Sequence, residues 1–388
     1  MADGPPCRKH APEAVRQCSV HHCGSGVDMR DGYRAGQLTN FKLPLQVRSG
    51  SAPILLFRYL RKRPTRKPMA NVTAKETHKM NHVALLTPTY GRDLELCSLL
   101  CESVDRHVGA FSRHYLLVPD CDLPLFSHLA SERRSVLPAS QFLPKWLRPL
   151  PRFVQRKRRQ YWWSFRTKPV NGWHVQQFLK IAAAIALPHK RYCILDSDVV
   201  FFRNFDISRF EYPNSFPLLN MPNQVTSSHL SHSHWVETTH QMLGLTTPPL
   251  PASDFIGHII FWDQETTRAM VSRIEAVTGL DWVEALCRTQ QFSEYMLYGY
   301  FAESDAHLSG RHSPTSRTPC VSYWDQPRLS RRELNALLRR ADKDDVAFSV
   351  TSFSGTPVET IRAVIEETAA VGAPITFPSE AAGLAAIC

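Results

Sequence analysis

The segment RYCILDSDVVFFRNFD (191–206) contains two aspartates, Asp196 and Asp198, directly after an apolar run. Carboxylates at positions i and i+2 can face one point, where they repel each other and one takes up a proton unless a cation lies between them. Mg²⁺ and Mn²⁺ prefer hard oxygen ligands and commonly share them with substrate phosphates. The pair therefore predicts a site for Mg²⁺ or Mn²⁺. The simpler alternative is a turn with capping aspartates at the end of a strand.

The residues around this pair predict the elements that would position it. The apolar run 192–195 is typical of a strand buried on both faces, and ligands of open α/β sheets bind at the carboxyl ends of such strands. HVALLTP (82–88) and HYLLVP (114–119) are similar runs. Further strands are predicted over 259–262 and 346–350, and helices over 93–107, 173–187, 264–277, 293–301, 330–341 and 358–370. This alternation predicts an α/β fold with a mixed, mainly parallel sheet flanked by helices.

The predicted helix 173–187 carries polar side chains on a face away from its apolar stripe. Gln176 and Lys180 lie one turn apart on that face and lead towards the strand that ends at Asp196. Lys180 would place a positive charge beside a phosphate in a site that excludes water. The alternative for Lys180 is an ordinary solvated lysine on the surface.

The net charge of the 388-residue chain is concentrated at its beginning. The chain has 46 lysines and arginines and 35 acids, a formal charge of +11, and residues 1–80 hold fifteen of the basic and five of the acidic residues. We interpret 1–80 as a basic, disordered leader, and a wrongly assigned start codon is the alternative. The remainder is predicted to form a single catalytic domain over 81–378, followed by a C-terminal tail over 379–388.

Composition excludes two classes of protein. Apolar residues make up 43% of the chain, which excludes a wholly disordered protein. No run approaches the roughly 20 apolar residues that a membrane-spanning helix needs. The ten cysteines show no CxxC pair, which is typical of thiols in a reducing compartment. We therefore expect a cytoplasmic protein, with peripheral contact at the inner membrane face through its basic segments as a further expectation.

The segment 144–173 combines prolines, arginines and tryptophans inside a stretch, 133–195, that contains no acid. This composition predicts a long surface excursion rather than a core element. Basic residues between aromatic rings suit nucleic acid, a membrane surface or an anionic substrate. Because the segment leads directly into Gln176, Lys180 and the aspartate pair, we interpret it as a lid or acceptor loop. Nucleic acid is the less favoured partner.

Four segments, in this order, resemble the DxD-containing GT-A fold glycosyltransferases, and in particular bacterial glycosyltransferase-like proteins that are mostly uncharacterised. They are TPTYGRD (87–93), GWHVQQFLKIAAA (172–184), ILDSDVVFF (194–202) and FSEYMLYGYF (292–301). The resemblance extends over about residues 81–325 and implies a GT-A-like, Rossmann-like catalytic domain. It implies a metal-dependent, hexosyltransferase-like enzyme of polysaccharide biosynthesis, which moves a sugar from a nucleotide-diphosphate sugar to a glycan or lipid-linked acceptor.

The resemblance also implies roles for individual residues. The cation would lie under the donor diphosphate, bound by Asp196 and Asp198. A histidine from the carboxyl half would complete the metal site, and from His258, His307 and His312 we take His307. The nucleotide would contact the loop after the first strand and the polar face of the helix 173–187, namely Thr87, Thr89, Tyr90, Arg92, Gln176 and Lys180.

Two further acids are candidates for catalysis. Glu294 lies among aromatic residues in FSEYMLYGYF, where a carboxyl group with a raised pKa can act as a base or hold an acceptor hydroxyl. The alternative is an acid that stabilises a helix N-terminus. Asp254, in PASDFIGHIIFWD (251–263), is a second candidate for contact with the acceptor, or else a turn aspartate. A polar loop is predicted for the histidines between 229 and 240, which are His229, His232, His234 and His240.

Two other functions remain as alternatives. DSDVV (196–200) also fits the DxDx[TV] nucleophile motif of haloacid-dehalogenase-type phosphatases, with DKDDV (342–346) as a later acidic pair. Against it, more than a hundred residues of α/β pattern precede the motif, which normally opens its domain. The third possibility is a basic module that binds nucleic acid or an anionic membrane.

Overall fold

The computed structural model describes residues 83–151, 160–210, 216–289 and 291–370, and at 306–307 and 369–370 it describes the backbone alone. The described residues belong to one compact unit. The predicted leader 1–80 and tail 379–388 lie outside these ranges, as does part of the predicted excursion 144–173.

The strands are β1 Val83–Pro88, β2 Val108–Gly109, β3 His114–Val118, β4 Arg134–Pro138, β5 Arg148–Pro149, β6 Tyr161–Trp163, β7 Val170–Asn171, β8 Arg191–Ile194, β9 Val199–Phe201, β10 Phe205–Asp206, β11 Phe216–Leu219, β12 Met221–Val225, β13 Ala252–Asp254, β14 Ile260–Asp263, β15 His312–Thr315, β16 Cys320–Tyr323 and β17 Ala347–Val350. The α-helices are α1 Leu94–His107, α2 Leu123–Phe126, α3 Gly172–Ala186, α4 Leu230–Leu243, α5 Gln264–Thr278, α6 Trp282–Thr289, α7 Glu294–Ser304, α8 Ala306–Ser309, α9 Arg331–Leu338 and α10 Val358–Ala370.

The largest sheet has the strand order β14-β8-β1-β3-β4. Strands β8, β1, β3 and β4 run parallel, and β14 runs antiparallel to β8 at the edge. β1 and β3 are buried along their whole length, as expected for apolar strands that are covered on both faces. The predicted α/β fold with a mixed sheet is therefore confirmed.

A second sheet, of order β16-β17-β9, contains the strand that follows the aspartate pair. β17 runs antiparallel to β9, with Ser349 opposite Val199. Because β9 begins directly after Asp198, this pairing brings the backbone that follows β17 beside the Asp198 carboxylate. The two aspartates therefore lie where the two sheets meet, in the turn between β8 and β9.

Helix α3 covers the main sheet and approaches its carboxyl edge. The helix begins after Asn171, whose side chain accepts a hydrogen bond from the backbone N–H of His174 (3.1 Å). The predicted helix 173–187 is confirmed, with each end one residue earlier. Only residues 187–190 separate α3 from β8, so the helix runs antiparallel to that strand and its first turns lie at the carboxyl edge of the sheet.

Two of the predictions about loops are wrong. The histidine-rich segment is helix α4, because Trp235, Val236, Thr239 and Leu243 recur at helical spacing and are buried. The described ends of the basic excursion are also not a simple surface loop. β5, β6 and β7 form a small antiparallel sheet, and Trp162 packs into the main core. In the ranges given above, no helix is long and apolar enough to cross a membrane.

Gly299 sets how closely α7 packs against the turn that follows β13. A Cβ atom at this position would lie 2.1 Å from the buried ring of Phe255. Gly299→Ala is therefore expected to destabilise the protein by about 1–3 kcal/mol through overpacking, although alanine has the better helix propensity. Urea unfolding measures this loss. Recovery of stability in Gly299→Ala/Phe255→Leu would support the cause, and no recovery would contradict it.

Candidate functional site

Lys180 is the centre of the site. Its Nζ donates hydrogen bonds to Oε1 of Glu294 (2.8 Å) and to the hydroxyl of Tyr295 (2.8 Å). The same nitrogen lies 2.9 Å from Oδ1 of Asp196. Helix α3 supplies the lysine, β8 leads to Asp196, and the first turn of α7 supplies Glu294 and Tyr295. Three segments that are distant in sequence therefore meet at one ammonium group.

The ammonium group is buried and charged. Lys180 is 5% exposed, which excludes the solvated surface lysine that the sequence left open. Burial alone would lower the pKa of Lys180, but the charges of Asp196 and Glu294 hold it well above its ordinary value. The lysine is therefore a buried positive charge whose ammonium group already contacts Glu294, Tyr295 and Asp196.

Glu294 is the most deeply buried acid that contacts Lys180. Its backbone N–H, at the start of α7, donates to Oε1 of Gln177 (3.1 Å), and its side chain is 4% exposed. Burial raises the pKa of Glu294 above its ordinary value, against the opposing charge of Lys180. Gln177 was not predicted. The sequence indicated Gln176, which is half-buried one turn before Lys180, but its neighbour is the residue that contacts Glu294.

Asp196 is the more accessible of the two aspartates, with 32% of its side chain exposed. Burial acts to raise its pKa, but the charge of Lys180 outweighs this effect, with help from His258, and the pKa of Asp196 lies below its ordinary value. Asp196 is therefore a carboxylate that faces the opening of the site and is held from behind by Lys180.

Asp198 occupies a different environment, only 12% exposed. The backbone N–H of Ser352 donates to its Oδ2 (3.0 Å), and the hydroxyl of Ser349 donates to its Oδ1 (3.3 Å). Burial and the nearby negative charge of Asp196 raise the pKa of Asp198 to about 7, although the Ser352 hydrogen bond opposes the shift. The pair thus behaves as two repelling carboxyl groups, as the sequence predicted.

His258 is the histidine that the structure places beside the aspartates. Its Nε2 lies 3.9 Å from Oδ1 of Asp198 and 3.2 Å from the hydroxyl of Ser349, and its ring stacks on Trp324 with centroids 4.3 Å apart. Burial lowers the pKa of His258 to about 4, so the imidazole is neutral at pH 7. The sequence named His258 as a candidate but took His307, whose side chain lies outside the described residues; His312 contacts Tyr298 instead.

The backbone next to His258 is strained. Ile259 has a φ of 62°, in the left-handed region that a β-branched side chain rarely adopts, and it is fully packed. Such strain is frequent at functional sites, where surrounding contacts hold the backbone in place. Here it directs the chain from His258 into β14.

The loop after β1 forms another wall of the site through Asp93. Burial raises the pKa of Asp93 to about 6, while Arg92 and a hydrogen bond with Ser197 lower it and Asp196 raises it further. Asp93 thus interacts with both the residue between the two aspartates and Asp196 itself. It was missed as a site residue, although it stands in the quoted segment TPTYGRD. Tyr90 is half-buried beside it, and Arg92 is exposed.

Two of the predicted nucleotide-binding residues point into the protein. The Thr87 hydroxyl lies 3.0 Å from Nε2 of His114, and Thr87 is fully buried. Nδ1 of His114 accepts a hydrogen bond from Arg134 (3.1 Å), so Nε2 carries the hydrogen and donates to Thr87. Thr89 is buried too, at 1% exposure. Of the loop residues, Tyr90 and Arg92 are therefore the ones that a ligand can reach.

Asp254 is buried at the end of β13, where its Oδ2 lies 2.8 Å from Nδ1 of His232 and its Oδ1 accepts from the backbone N–H of Ile256 (2.9 Å). This pair is separate from the contacts of Lys180. The structure thus brings Lys180, Asp196 and Glu294 together, with Asp198 and His258 beside them, and holds Asp254 against α4.

The carboxylates of the site outnumber its cations. Among the residues that the structure describes, Lys180 is the only lysine or arginine within ion-pair distance of Asp196, Asp198 or Glu294. Within the same residues, no three Asp, Glu, His or Cys side chains are grouped so that they alone could hold a metal ion. Asp196 and Asp198 suit a hard cation that takes its other ligands from water and phosphate, as Mg²⁺ commonly does.

Comparisons with known proteins place the chain in a family without assigning it a function. None of the curated proteins matches the sequence. A family match covers residues 80–372, which include the aspartate pair, Lys180, Glu294 and the whole main sheet. The chain therefore belongs to the family described as a family of unknown function (DUF6492).

Proposed function

We propose that the protein is a metal-dependent glycosyltransferase with a GT-A-like arrangement, which transfers a sugar from a nucleotide-diphosphate sugar to a hydroxyl group of an acceptor. The observation that carries the proposal is the buried acidic site at the carboxyl edge of β8, where Asp196 is ion-paired with Lys180 and Asp198 has no lysine or arginine within ion-pair distance among the described residues. Burial and the negative charge of Asp196 raise the pKa of Asp198 to about 7, and a bound divalent cation would favour the ionised carboxylate.

The donor set favours a cation that arrives with a diphosphate. Asp196 and Asp198 offer carboxylate oxygens, and the remaining positions suit phosphate oxygens and water. When bound, Mg²⁺ or Mn²⁺ would stabilise the charge that develops on the departing diphosphate. His258, neutral beside Asp198, could in addition offer a nitrogen, a ligand that manganese accepts.

The side chains around the aspartates divide the work of transfer. As the bond between the sugar and the diphosphate breaks, the electron pair leaves with the phosphate oxygen, the acceptor oxygen bonds to the sugar, and the acceptor proton passes to a base. Lys180 is occupied by protein partners, so we assign it to positioning Asp196 and Glu294 rather than to binding phosphate. Arg92 is exposed beside Asp93 and is the better placed cation for the diphosphate.

The base is left to one of the two predicted acids. Glu294 has a raised pKa, which suits a proton acceptor, but it is nearly fully buried and bound to Lys180. Asp254 is buried as well and acts through His232.

A cytoplasmic location agrees with the buried thiols Cys97, Cys101, Cys193 and Cys287, none of which forms a disulfide.

The phosphatase alternative has less support from the geometry. Its second acidic pair would come from DKDDV, but Asp342 and Asp345 are both ion-paired with Arg317. Such fixed carboxylates serve the loop before β17 rather than a phosphate site. For the basic binding module, part of the basic segment lies outside the described residues, and its described parts form the small sheet β5-β6-β7.

The proposal predicts how nucleotides affect thermal stability. A nucleoside diphosphate (UDP, GDP, ADP, CDP or dTDP) is expected to raise the melting temperature only together with Mn²⁺ or Mg²⁺, because each ligand completes the site of the other. The stabilisation would reach roughly 2.7 kcal/mol at a concentration 100-fold above Kd. Differential scanning fluorimetry measures the shift, and Asp198→Ala should abolish it. Asp206→Ala is the matched control, since Asp206 is exposed and its carboxylate accepts hydrogen bonds from nearby Ser208.

Other results would contradict the proposal. If a nucleotide stabilises the protein without a cation, and equally in Asp198→Ala, the nucleotide binds elsewhere. If none of the five nucleoside diphosphates changes the melting temperature, a nucleotide-sugar donor is contradicted. A phosphate-like adduct with beryllofluoride that Asp196→Asn abolishes would favour the phosphatase.

A further inference from the structure

Three aromatic side chains form a shelf on the outside of α3 and α4. We call Trp173, His232 and Trp235 the aromatic shelf. The ring centroids of Trp173 and Trp235 are 5.6 Å apart, and those of Trp235 and His232 are 4.8 Å apart, with both pairs tilted by about 33–34°. Trp235 is buried beneath, whereas Trp173 is 47% exposed. The shelf therefore presents an aromatic surface to solvent on a packed base.

The shelf lies at the same edge of the sheet as the candidate site. Trp173 is in the first turn of α3, and that turn is at the carboxyl edge because α3 runs antiparallel to β8. His174 packs against Phe292 (centroids 5.4 Å apart), two residues before Glu294. Trp173 and Lys180 are seven residues apart, or about 10 Å along the helix axis. A ligand longer than one sugar ring could therefore reach from the shelf to the site.

The polar part of the shelf is a prepared hydrogen-bonding group. Asp254 accepts from His232 Nδ1 (2.8 Å) and from the backbone N–H of Ile256 (2.9 Å), which fixes the orientation of the imidazole. Within the described ranges, no hydrogen bond to Nε2 of His232 is present. The side chain of His232 is 14% exposed, so this nitrogen is partly accessible.

The chemistry of the shelf suits a carbohydrate. A pyranose ring has an apolar face of C–H groups, which packs on indole rings, and hydroxyl groups at its edge, which hydrogen-bond to an imidazole. None of the cation–ring contacts in the described part of the chain involves Trp173 or Trp235, so neither indole face is shown covered by a lysine or arginine. The shelf thus combines an aromatic surface with one polar contact, the imidazole of His232.

We propose that the aromatic shelf binds a sugar ring of a carbohydrate ligand, with the ring packed on Trp173 and a hydroxyl hydrogen-bonded to Nε2 of His232. Resting on the proposed function, the ligand is the acceptor, which is then a glycan of at least two sugar units. Asp254 acts as a positioning residue for His232. Asp254, which the sequence predicted to contact the acceptor, would therefore act on the acceptor through His232.

Saturation-transfer NMR on the full chain, without nucleotide or metal, tests the shelf. The probes are four families of oligosaccharide, maltotriose, cellotriose, chitotriose and mannotriose. At least one is expected to receive saturation, and Trp173→Ala should weaken its binding at least about tenfold, as expected for a central aromatic contact. Trp173→Phe should retain most of the affinity. Phe165→Ala is the matched control, because Phe165 is 97% exposed and contacts only Trp163 among the described aromatic rings.

Asp254→Asn separates positioning from structure. It should weaken glycan binding while circular dichroism and the melting temperature change little, because asparagine can still accept from the Ile256 N–H. Binding of no oligosaccharide, or binding that Trp173→Ala leaves unchanged, would overturn the shelf. Failure of the nucleotide experiment together with Trp173-dependent glycan binding would overturn the glycosyltransferase and leave the shelf, so the two proposals fail separately.

Discussion

Replacement of Lys180 by methionine is expected to destabilise the protein by roughly 3–5 kcal/mol, the usual cost of removing one partner from a buried ion pair. Methionine keeps most of the volume of the lysine side chain but removes the charge that Asp196 and Glu294 share. Glu294 is 4% exposed and would be left as a buried acid without a cation. The free energy of unfolding in urea, measured at pH 7.5, reports this loss.

Two further variants identify the cause. Lys190→Met is the matched control, because Lys190 is exposed at the end of the segment that joins α3 to β8. In Lys180→Met/Glu294→Gln the second change should recover part of the stability, since it removes the charge that the first change left unpaired. Equal stabilities of Lys180→Met and Lys190→Met would show that the ion pair contributes nothing. In that case Lys180 would not be the residue that holds α3, β8 and α7 together.

Asp198→Asn is expected to stabilise the metal-free protein, and to do so more at pH 8 than at pH 5. The pKa of Asp198 is about 7 in the folded protein and near 3.8 in the unfolded chain. Between these values the folded state binds a proton that the unfolded state has released, so stability falls as pH rises from about 4 to 7. Asparagine does not titrate and can still accept from the Ser352 N–H. Relative to the wild type, the variant should gain about 2–3 kcal/mol between pH 5 and pH 8.

Unfolding in urea at both pH values, with a chelator present, measures this difference. Asp206→Asn is the control, since the Asp206 carboxylate is exposed. A variant destabilised equally at pH 5 and pH 8 would indicate that Asp198 is an ordinary carboxylate held by Ser349 and Ser352. If the asparagine variant is the more stable protein, the natural Asp198 lowers the stability of the fold, as residues of functional sites commonly do.

Local sequence patterns were sufficient for most strands of the main sheet, but its edge strand β4 was not predicted. β1, β3 and β8 are short apolar runs that end at a proline or an aspartate, and such runs are recognisable because both faces of a parallel sheet are buried. The pattern of α3 was equally clear, and the prediction missed each end by one residue. The periodicity of apolar residues is a property of neighbouring positions, so a single segment of sequence is enough to recognise it.

The histidine-rich helix α4 shows where such patterns mislead. His229, His232 and His234 suggested a polar loop, but the buried stripe of Trp235, Val236, Thr239 and Leu243 lies further along and includes a threonine. The sequence also could not show that Gln177, rather than Gln176, is the glutamine of α3 that lies in the site. Whether residue 176 or 177 is covered depends on α7, more than a hundred residues later. Packing partners that are distant in sequence leave no local signal.

The sequence by itself determined that two aspartates follow a buried strand of an α/β fold, because a short continuous apolar run that ends at an acid specifies such a strand and its end. Tertiary structure alone decided the chemistry of those aspartates. The contacts of Lys180 lower the pKa of Asp196, while burial beside Asp196 raises the pKa of Asp198 to about 7. A pKa depends on burial and on charges within a few ångströms. Here the charges come from α3, from the turn after β8 and from the loop after β1, which only the folded chain brings together.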